Sequence, residues 1–469
     1  MRALPLPLIP LLLATALSGC ANLPLSQLGT LIDDASLHYP EKWHAPHTTQ
    51  HVEVGSAQSV AEWIDPLHAA PLKQLIAEAI AHNHNLQHVA LNWQNAKQQT
   101  ILAGTPLRPT LEGGVRSQRS QTLSNSKSAT LTSQHGVTVT AQWEIDLWQR
   151  LSDQQRAAHS REQASATDLQ AARLSLAATV ARRWFSAIES KQKIKLSHQR
   201  LARYSQALEV IEVRYRSGLT DALDLHVARS EVSLSKENLL SQQMNQQQQL
   251  RELELLLGRY PAAEITVGES LPTINQPIPV GLPSELLERR PDIIASRTRW
   301  QAAALDREVA AKRRLPSFSL SAQAGTSSNH LRDLLDWDNL VWSLLGNLAQ
   351  PLFQQEQLEA EELIQATAQQ QAAIAYLESV LQAFREVENG LTADHFQQQR
   401  LHALADAADE ASKAATLALS RYQNGLIDAL TLLDTQQRAF DRESAHIQAM
   451  ADHIDNRILL HLSLGGSFQ

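Results

Sequence analysis

The stretches RYRSGLTDALDL at 214–225 and RYQNGLIDALTL at 421–432 decide the fold of this 469-residue chain. Eight of their twelve positions are identical, and the second follows the first at an offset of 207 positions. The same offset relates residues 85–258 to residues 292–465. Self-similarity at a fixed period indicates a repeated structural unit. Two copies of this length predict a pseudo-two-fold protein whose halves build the same structure.

The N-terminus predicts a signal peptide at residues 1–19. Arg2 precedes an apolar run that ends at Leu17 and falls short of the ~18 residues of a membrane-spanning helix. The sequence Leu-Ser-Gly-Cys that ends at Cys20 resembles a bacterial lipobox, in which the cysteine thiol receives a diacylglyceryl group. In the lipoproteins that this motif resembles, a residue other than aspartate at the position of Ala21 goes with transfer to the outer membrane. An ordinary signal peptide with an incidental cysteine is the alternative.

Composition excludes several classes of protein. The formal net charge of −8 and the pI near 6.1 argue against a nucleic-acid partner, which requires a basic face. Cys20 is the only cysteine, so the fold uses no disulfide. No P-loop, G-x-S-x-G or H-E-x-x-H motif is present, and an enzyme has no candidate catalytic group. His82, His84 and His88 do not share one helical face, so no metal site is predicted there. No other cofactor is predicted.

Proline marks the boundaries between segments. Proline is absent from 110–260 and from 352 to the end, whereas six prolines crowd the span 259–291. That span is interpreted as a linker. The predicted organisation is a signal peptide at 1–19, an N-terminal segment at 20–84, a first repeat at 85–258, the linker at 259–291 and a second repeat at 292–465.

Each repeat is predicted to contain a hairpin of two strands. Apolar and polar residues alternate strictly from Val137 to Leu147, which is typical of a strand with one apolar face. The predicted strands lie at about 110–120, 134–147, 316–326 and 338–350, joined by loops at 121–133 and 326–333. Ten residues suffice for a tilted strand to cross a bilayer. A soluble sandwich sheet is the alternative interpretation.

Long helices are predicted after each strand hairpin. Helical periodicity begins near Leu147 and continues to Arg216. Gly218 and Gly425 are placed to end these helices in a left-handed conformation, and Asp221 and Asp428 to cap the helices that follow. Four strands do not close a membrane barrel, which needs at least ~8, so several copies of the chain must pool their strands. A lipid-anchored coiled-coil scaffold without a pore remains the alternative.

These features together resemble the outer membrane factors of the TolC type, in their lipoprotein branch. The resemblance rests on the lipobox, the duplicated RY..GL.DAL.L motif, WEIDLW at 143–148, LPSELLERRPDI at 282–293 and LPSFSLSAQAG at 315–325. It implies a mainly α-helical homotrimer with a twelve-stranded β-barrel in the outer membrane, a helical tunnel in the periplasm, and a collar formed by the N-terminal segment and the linker.

The resemblance also implies function and partners. It implies an efflux duct, of the kind associated with antibiotic resistance, that receives small molecules from a periplasmic adaptor and an inner-membrane transporter. A duct for protein secretion, which uses the same fold, is the alternative. The family's gate aspartate falls on Asp434, its apolar constriction on Leu430, and Tyr422 is placed as a polar clasp. At the offset of 207, Asp434 corresponds to Val227, so the carboxylate is particular to the second hairpin.

Overall fold

Eight helices and four strands make up the part of the chain that the computed structural model describes, which is residues 42–46, 70–123, 129–274, 281, 283–334 and 336–466. The helices are α1 Ala70–His82, α2 His84–Gly104, α3 Arg150–Arg216, α4 Ala222–Leu256, α5 Pro283–Arg289, α6 Pro291–Lys312, α7 Gln355–Gln423 and α8 Ala429–Ser463. The strands are β1 Thr110–Leu123, β2 Ala129–Ile145, β3 Ser317–Ser328 and β4 Leu340–Ala349. No described helix has the length and apolarity needed to span a membrane.

The structure confirms the internal duplication. Helices α3 and α7 end at Arg216 and Gln423, and the return helices α4 and α8 begin at Ala222 and Ala429, in both cases at the offset of 207. Strands β1 and β3 also begin at equivalent positions. Helix α1 lies inside the segment assigned to 20–84, and α5 lies inside the proline-rich linker. Both short helices precede equivalent helices, α2 and α6.

The strands form one antiparallel sheet in the order β1-β2-β3-β4. The loops predicted at 121–133 and 326–333 are shorter than expected, because β1 continues to Leu123, β2 begins at Ala129 and β3 continues to Ser328. Because residues directly opposite one another project from the same face, the register builds rows of like polarity across the sheet. One row joins Ala141, Ala322 and Leu344, and the adjacent row joins Thr140, Gln323 and Ser343.

One face of the sheet is therefore mainly apolar, and the other is polar on β1, β2 and β3 but carries Val341 and Leu345 on β4. The apolar face continues across the rows that contain Val139, Ala324 and Trp342 and those that contain Ile145, Phe318 and Leu348. Trp342 and Leu344 are 72% and 66% exposed in the single chain. A continuous apolar surface of this size on an isolated sheet needs a covering medium or partner.

The described helices pack around two hydrophobic cores. One core joins α1, α3, α4 and α8 near the middle of the long helices, with Trp184, Phe185 and Leu253 at its centre. The other lies towards the helix turns, where Ile211 of α3 packs with Leu432 of α8. Burial of apolar surface in these cores holds the two helical hairpins together. A single hairpin would leave the apolar face of its helices in water.

Equivalent polar contacts lock the return helix of each repeat to its start. Asn83 caps α2 and donates from Nδ2 to the carbonyl oxygen of Leu256 at 2.9 Å. At the equivalent positions, Arg290 donates from Nη1 to the carbonyl oxygen of Ser463 at 3.2 Å. Each of these contacts occupies a carbonyl at the C-terminal end of a helix, where intrahelical partners run out.

The glycines that follow the return helices are required by space as well as by conformation. Gly258 has φ +72°, and a Cβ there would lie 2.7 Å from the carbonyl oxygen of His82. Gly465 has φ +75° and faces the backbone of Arg289 in the same manner. Only glycine allows the chain to turn left-handed in contact with the preceding short helix.

Arg290 also joins two carboxylates. Its guanidinium is largely buried and pairs with Asp292 at 2.7 Å and with Glu386 at 2.7 Å. Burial works against the charged form of Asp292, but the hydrogen bond and the charge of Arg290 outweigh it and lower the pKa of that carboxyl. The arginine thus ties α6, α7 and the end of α8 into one unit.

We expect Arg290→Ala to lower the free energy of unfolding by roughly 1.5–3 kcal/mol, because hydrogen bonds to charged groups and to a helix-end carbonyl are lost together. The measurement is the midpoint of thermal unfolding in detergent, followed by circular dichroism. Arg332→Ala is the matched control, since Arg332 pairs with Asp333 at an exposed position where a salt bridge contributes about 0–1 kcal/mol. An equal shift in both variants would contradict the assignment.

Candidate functional site

The two helical hairpins end in turns of the same geometry. Gly218 has φ +71° and Gly425 has φ +74°. In the first turn, the N–H of Leu219 donates to the carbonyl oxygen of Arg214 at 2.9 Å. In the second, the N–H of Leu426 donates to that of Arg421 at the same distance. This pattern is the Schellman motif, in which a left-handed residue ends the helix and satisfies its last carbonyls.

Both predicted cap positions are occupied by aspartates that bind backbone. Asp221 accepts from the N–H of Asp224 at 3.0 Å, and Asp428 accepts from the N–H of Thr431 at 2.7 Å. Hydrogen bonds from Thr431 hold the pKa of Asp428 below its ordinary value. These carboxylates begin the return helices, because they satisfy N–H groups that have no intrahelical partner.

Arg214 and Tyr422 connect the two turns, and we call this contact the clasp. Arg214 donates from Nη1 to the carbonyl oxygen of Tyr422 at 3.2 Å, and its guanidinium carbon lies 5.1 Å from the centre of the tyrosine ring. Tyr422 is only 2% exposed, and burial raises the pKa of its phenol. The clasp combines a hydrogen bond with a cation–π contact, so it fixes the second turn against the first.

Leu430 and Asp434 lie together on an exposed stretch of α8. They are one helical turn apart, which places them on the same face. Leu430 is 52% exposed. Asp434 pairs with Arg438 one turn further on, with an Oδ2–Nε distance of 2.9 Å. The structure thus brings two of the three predicted gate residues to one surface and puts the third, Tyr422, into the packed clasp.

An aromatic layer supports the turns from within the helical bundle. Tyr204 of α3 and Phe440 of α8 have ring centres 6.0 Å apart. Arg200 lies over the Tyr204 ring at 5.4 Å, and Arg203 lies over the Phe440 ring at 5.5 Å. Burial raises the pKa of Tyr204 to about 12. The layer holds α3 against α8 a few turns from the clasp.

Sequence reasoning missed Arg214 and Arg438. Arg214 belongs to the duplicated motif, and the sequence shows it only as a residue that is identical in both repeats. Its contact with Tyr422 could not be predicted, because Tyr422 belongs to the other hairpin. Arg438 was detectable, because an arginine four residues after an aspartate on a helix is placed to pair with it. Cys20, the predicted lipid attachment site, lies outside the described residues. Within the described ranges, no group of three or more His, Cys, Asp or Glu is placed to hold a metal ion.

The sequence model of the outer membrane efflux protein family matches this chain twice, at residues 75–259 and 282–466. The chain belongs to the outer membrane efflux protein family. The two matches are themselves separated by 207 positions, in agreement with the duplication seen in the fold. Together they cover both helical hairpins and all four strands.

Known members of the family are similar over nearly their whole length. The outer membrane protein OprJ of Pseudomonas aeruginosa is 30% identical over 422 residues, which is 88% of each chain. The toluene efflux pump outer membrane protein TtgF of Pseudomonas putida is 28% identical over 97% of this chain and 96% of its own. The open-state crystal structure of the MtrE outer membrane channel of Neisseria gonorrhoeae is 26% identical with a TM-score of 0.78, covering 92% of this chain and 97% of that one.

These comparisons confirm the resemblance and the fold class predicted from the sequence. The chain is mainly α-helical, with duplicated strand and helix hairpins of the kind that outer-membrane channels assemble into a β-barrel and a helical barrel. They also confirm an efflux channel of the outer membrane as its function. The soluble sandwich, the scaffold without a pore and the protein-secretion duct are not favoured.

Proposed function

We propose that three copies of this chain form a passive duct for small molecules, which enter from a periplasmic adaptor and an inner-membrane transporter and leave outside the cell. The observation that carries this proposal is the open four-stranded sheet with one continuous apolar face. A sheet in lipid must close so that no backbone group lacks a partner, and at least ~8 strands are needed to close it. Two copies supply eight strands and three supply twelve, and the resemblance to the outer membrane factors implies three.

The two faces of the sheet assign its sides. The apolar rows with Trp342 and Leu344 face lipid, and the polar rows with Thr140, Gln323 and Ser343 line the lumen. Alternation of this kind is the pattern of transmembrane barrels. The long helices, α3 and α7, continue the duct into the periplasm, where 67 and 69 residues reach roughly 100 Å at ~1.5 Å per residue.

The gate of the duct lies at the hairpin turns. Around a three-fold axis, the exposed face of α8 brings three copies of Leu430 and Asp434 together, forming an apolar ring beside a ring of carboxylates. Such a carboxylate ring attracts cations and repels anions. Arg438 offsets part of that charge, and the clasp keeps the second hairpin from moving away from the first. The chain has no catalytic role in this scheme and needs no cofactor.

A lipid on Cys20 anchors the duct in the outer membrane. This part of the proposal rests on the lipobox sequence and on the absence of any other cysteine. Each buried methylene of an acyl chain contributes about 0.8 kcal/mol, and two or more chains give a stable anchor. The anchor and the sheet insert independently, so neither depends on the other for membrane binding.

The gate proposal predicts opposite effects for two neighbouring residues. We expect Asp434→Asn to reduce the cation preference of single channels in a planar bilayer, because the ring loses charge with little change of shape. Arg438→Gln is expected to increase it, because the carboxylate loses its partner. Reversal potentials in a salt gradient measure both effects. Asp221→Asn, a cap at the other hairpin, is the control, and an equal shift there would contradict the gate role of Asp434.

The sheet proposal predicts different tolerance at adjacent positions of β4. Leu344→Arg places a charge on the lipid face and is expected to cost about 2–4 kcal/mol near the bilayer centre, whereas Ser343→Arg points into the lumen and is expected to be tolerated. The measurement is the fraction of purified protein that folds into lipid vesicles and resists protease. Equal folding of the two variants would rule out the assigned faces.

The anchor proposal predicts a change in mass without loss of assembly. Cys20→Ser is expected to lack the mass of the attached lipid in intact-protein mass spectrometry, while trimers still form because the sheet inserts by itself. Wild-type protein without an acyl mass would exclude lipidation at this cysteine. Unlipidated protein found only as a soluble monomer would exclude the independent insertion of the sheet.

A further inference from the structure

We propose that a second copy of this chain packs along α7 through a neutral seam, and that Arg421 of one copy stacks on Tyr215 of the next. The inference rests on the proposed trimer and assigns the residues that join its copies. It follows from the duplication, because contacts between the two repeats inside one chain must recur between chains if the repeats alternate around a ring.

The duplicated motif offers two equivalent arginine–tyrosine pairs, but only one of them is in contact within a single chain. In the clasp, Arg214 reaches Tyr422, which is 2% exposed. The equivalent pair consists of Arg421, which is exposed, and Tyr215, which is 42% exposed. Tyr215 ends a run of apolar residues on α3 that are spaced alternately three and four positions apart. Its exposure interrupts the pattern, because the other members of the run are buried or half-buried: Leu201, Tyr204, Leu208 and Ile211. If the first repeat of a neighbouring copy packs on the second repeat of this chain in the way that the second repeat packs on the first, Arg421 and the neighbour's Tyr215 form the same clasp between chains.

The helices carry the same incomplete pattern. Inside the chain, α3 packs against α6 and α8. The helix equivalent to α3 is α7, and the equivalent partners are α2 and α4 of the next copy. Helix α7 presents Leu363, Ile374 and Leu381, all more than half exposed, at spacings that place them on one face. Helix α2, the expected partner of α7 in the next copy, likewise exposes Leu91, Ile101 and Leu102. A second copy covers both apolar surfaces.

Charge distinguishes the seam inside the chain from the seam between chains. We call the contact of α3 with α6 the charged seam, because three ion pairs join the helices there: Asp153–Lys312, Arg161–Asp306 and Asp168–Arg299. On α7, all three equivalent positions are alanines: Ala360, Ala368 and Ala375. The equivalents of the three α6 residues are all neutral: Asn92 and Gln99 on α2, and Thr105 directly after its end. These six residues form the neutral seam.

The neutral seam lacks charged residues on both sides of the contact, where the charged seam has them on both. A charge left on one side alone would face an alanine or an amide, and an unpaired charge that is buried between helices is costly. Loss of all six charges avoids that cost and lets α7 and α2 approach closely. It also prevents mispairing, since the charged flank of α3 is not complementary to the neutral flank of α2. The neutral seam therefore selects a second copy in one orientation.

A transplanted ion pair tests the seam. Ala368→Arg alone is expected to reduce the trimer fraction several-fold in detergent, as measured by light scattering coupled to size exclusion, because the long cationic side chain meets the neutral Gln99 at the contact between copies and has no carboxylate to pair with. Adding Gln99→Asp in the same chain recreates between copies the pair that Arg161 and Asp306 form within one, and is expected to restore the trimer. If Ala368→Arg leaves assembly unchanged, or if the second substitution fails to rescue it, the seam lies elsewhere.

Cysteine cross-linking tests the tip contact. Arg421→Cys and Tyr215→Cys are introduced on separate, differently tagged chains in a Cys20→Ser background, co-expressed and treated with a short bismaleimide. A cross-linked heterodimer is expected. Arg214→Cys and Tyr422→Cys on separate chains are the control and are expected to give none, because these residues meet within one chain. No product from the first pair in an intact trimer overturns the tip contact.

The two proposals fail in different ways. If the wild-type protein is monomeric and gives no conductance in a planar bilayer, the trimeric duct itself is wrong. If that protein is trimeric and conducting, yet the ion pair does not rescue and the thiols do not cross-link, the duct stands and the assigned contacts are wrong.

Discussion

The backbone groups along the two open edges of the sheet impose the constraint on which the rest of the architecture depends. Strands β1 and β4 each pair on one side only in the order β1-β2-β3-β4. In hydrocarbon, every unpaired N–H or C=O costs several kcal/mol. Closure by further copies is the remaining solution. Once the strands of several copies close, the helices that leave them are fixed around the same axis.

Duplication then allows the two hairpins to differ where function requires it. The turns are kept almost identical, from the glycines with positive φ to the capping aspartates. Beyond the turns the repeats differ, since Asp434 stands where the first repeat has Val227. Before the turns the tyrosine is kept, but its surroundings differ, because Tyr422 is buried and Tyr215 is exposed. Identity is thus retained at positions set by backbone geometry, and divergence appears on surfaces that face a different neighbour in each hairpin.

Much of the fold was predictable because it is encoded locally. Proline-free periodicity predicted the long helices, and alternation located the strands, although pairing extended β2 back to Ala129, into a stretch whose side chains gave no signal. The capping roles of Asp221 and Asp428 followed from their place after a glycine. Within the site, the motif predicted the positions of Leu430 and Asp434. The environment of Tyr422 depends on Arg214, 208 positions away, and the periodicity of a sequence does not reveal contacts between such distant residues.

The closed ends of each repeat have a consequence for how such a chain can be divided. Gly258 and Gly465 bring each return helix back onto the short helix that opens its own repeat, and Asn83 and Arg290 seal those junctions. Each repeat therefore closes on its own short helix, while the described part of the connection, 259–274, is packed as well: Val267, Leu271 and Ile274 are buried in the core that joins α1, α3, α4 and α8. A gene split in that connection would leave two polypeptides that each retain the junction of their own repeat, but they would still have to pair through the core that joins α3 and α4 with α8.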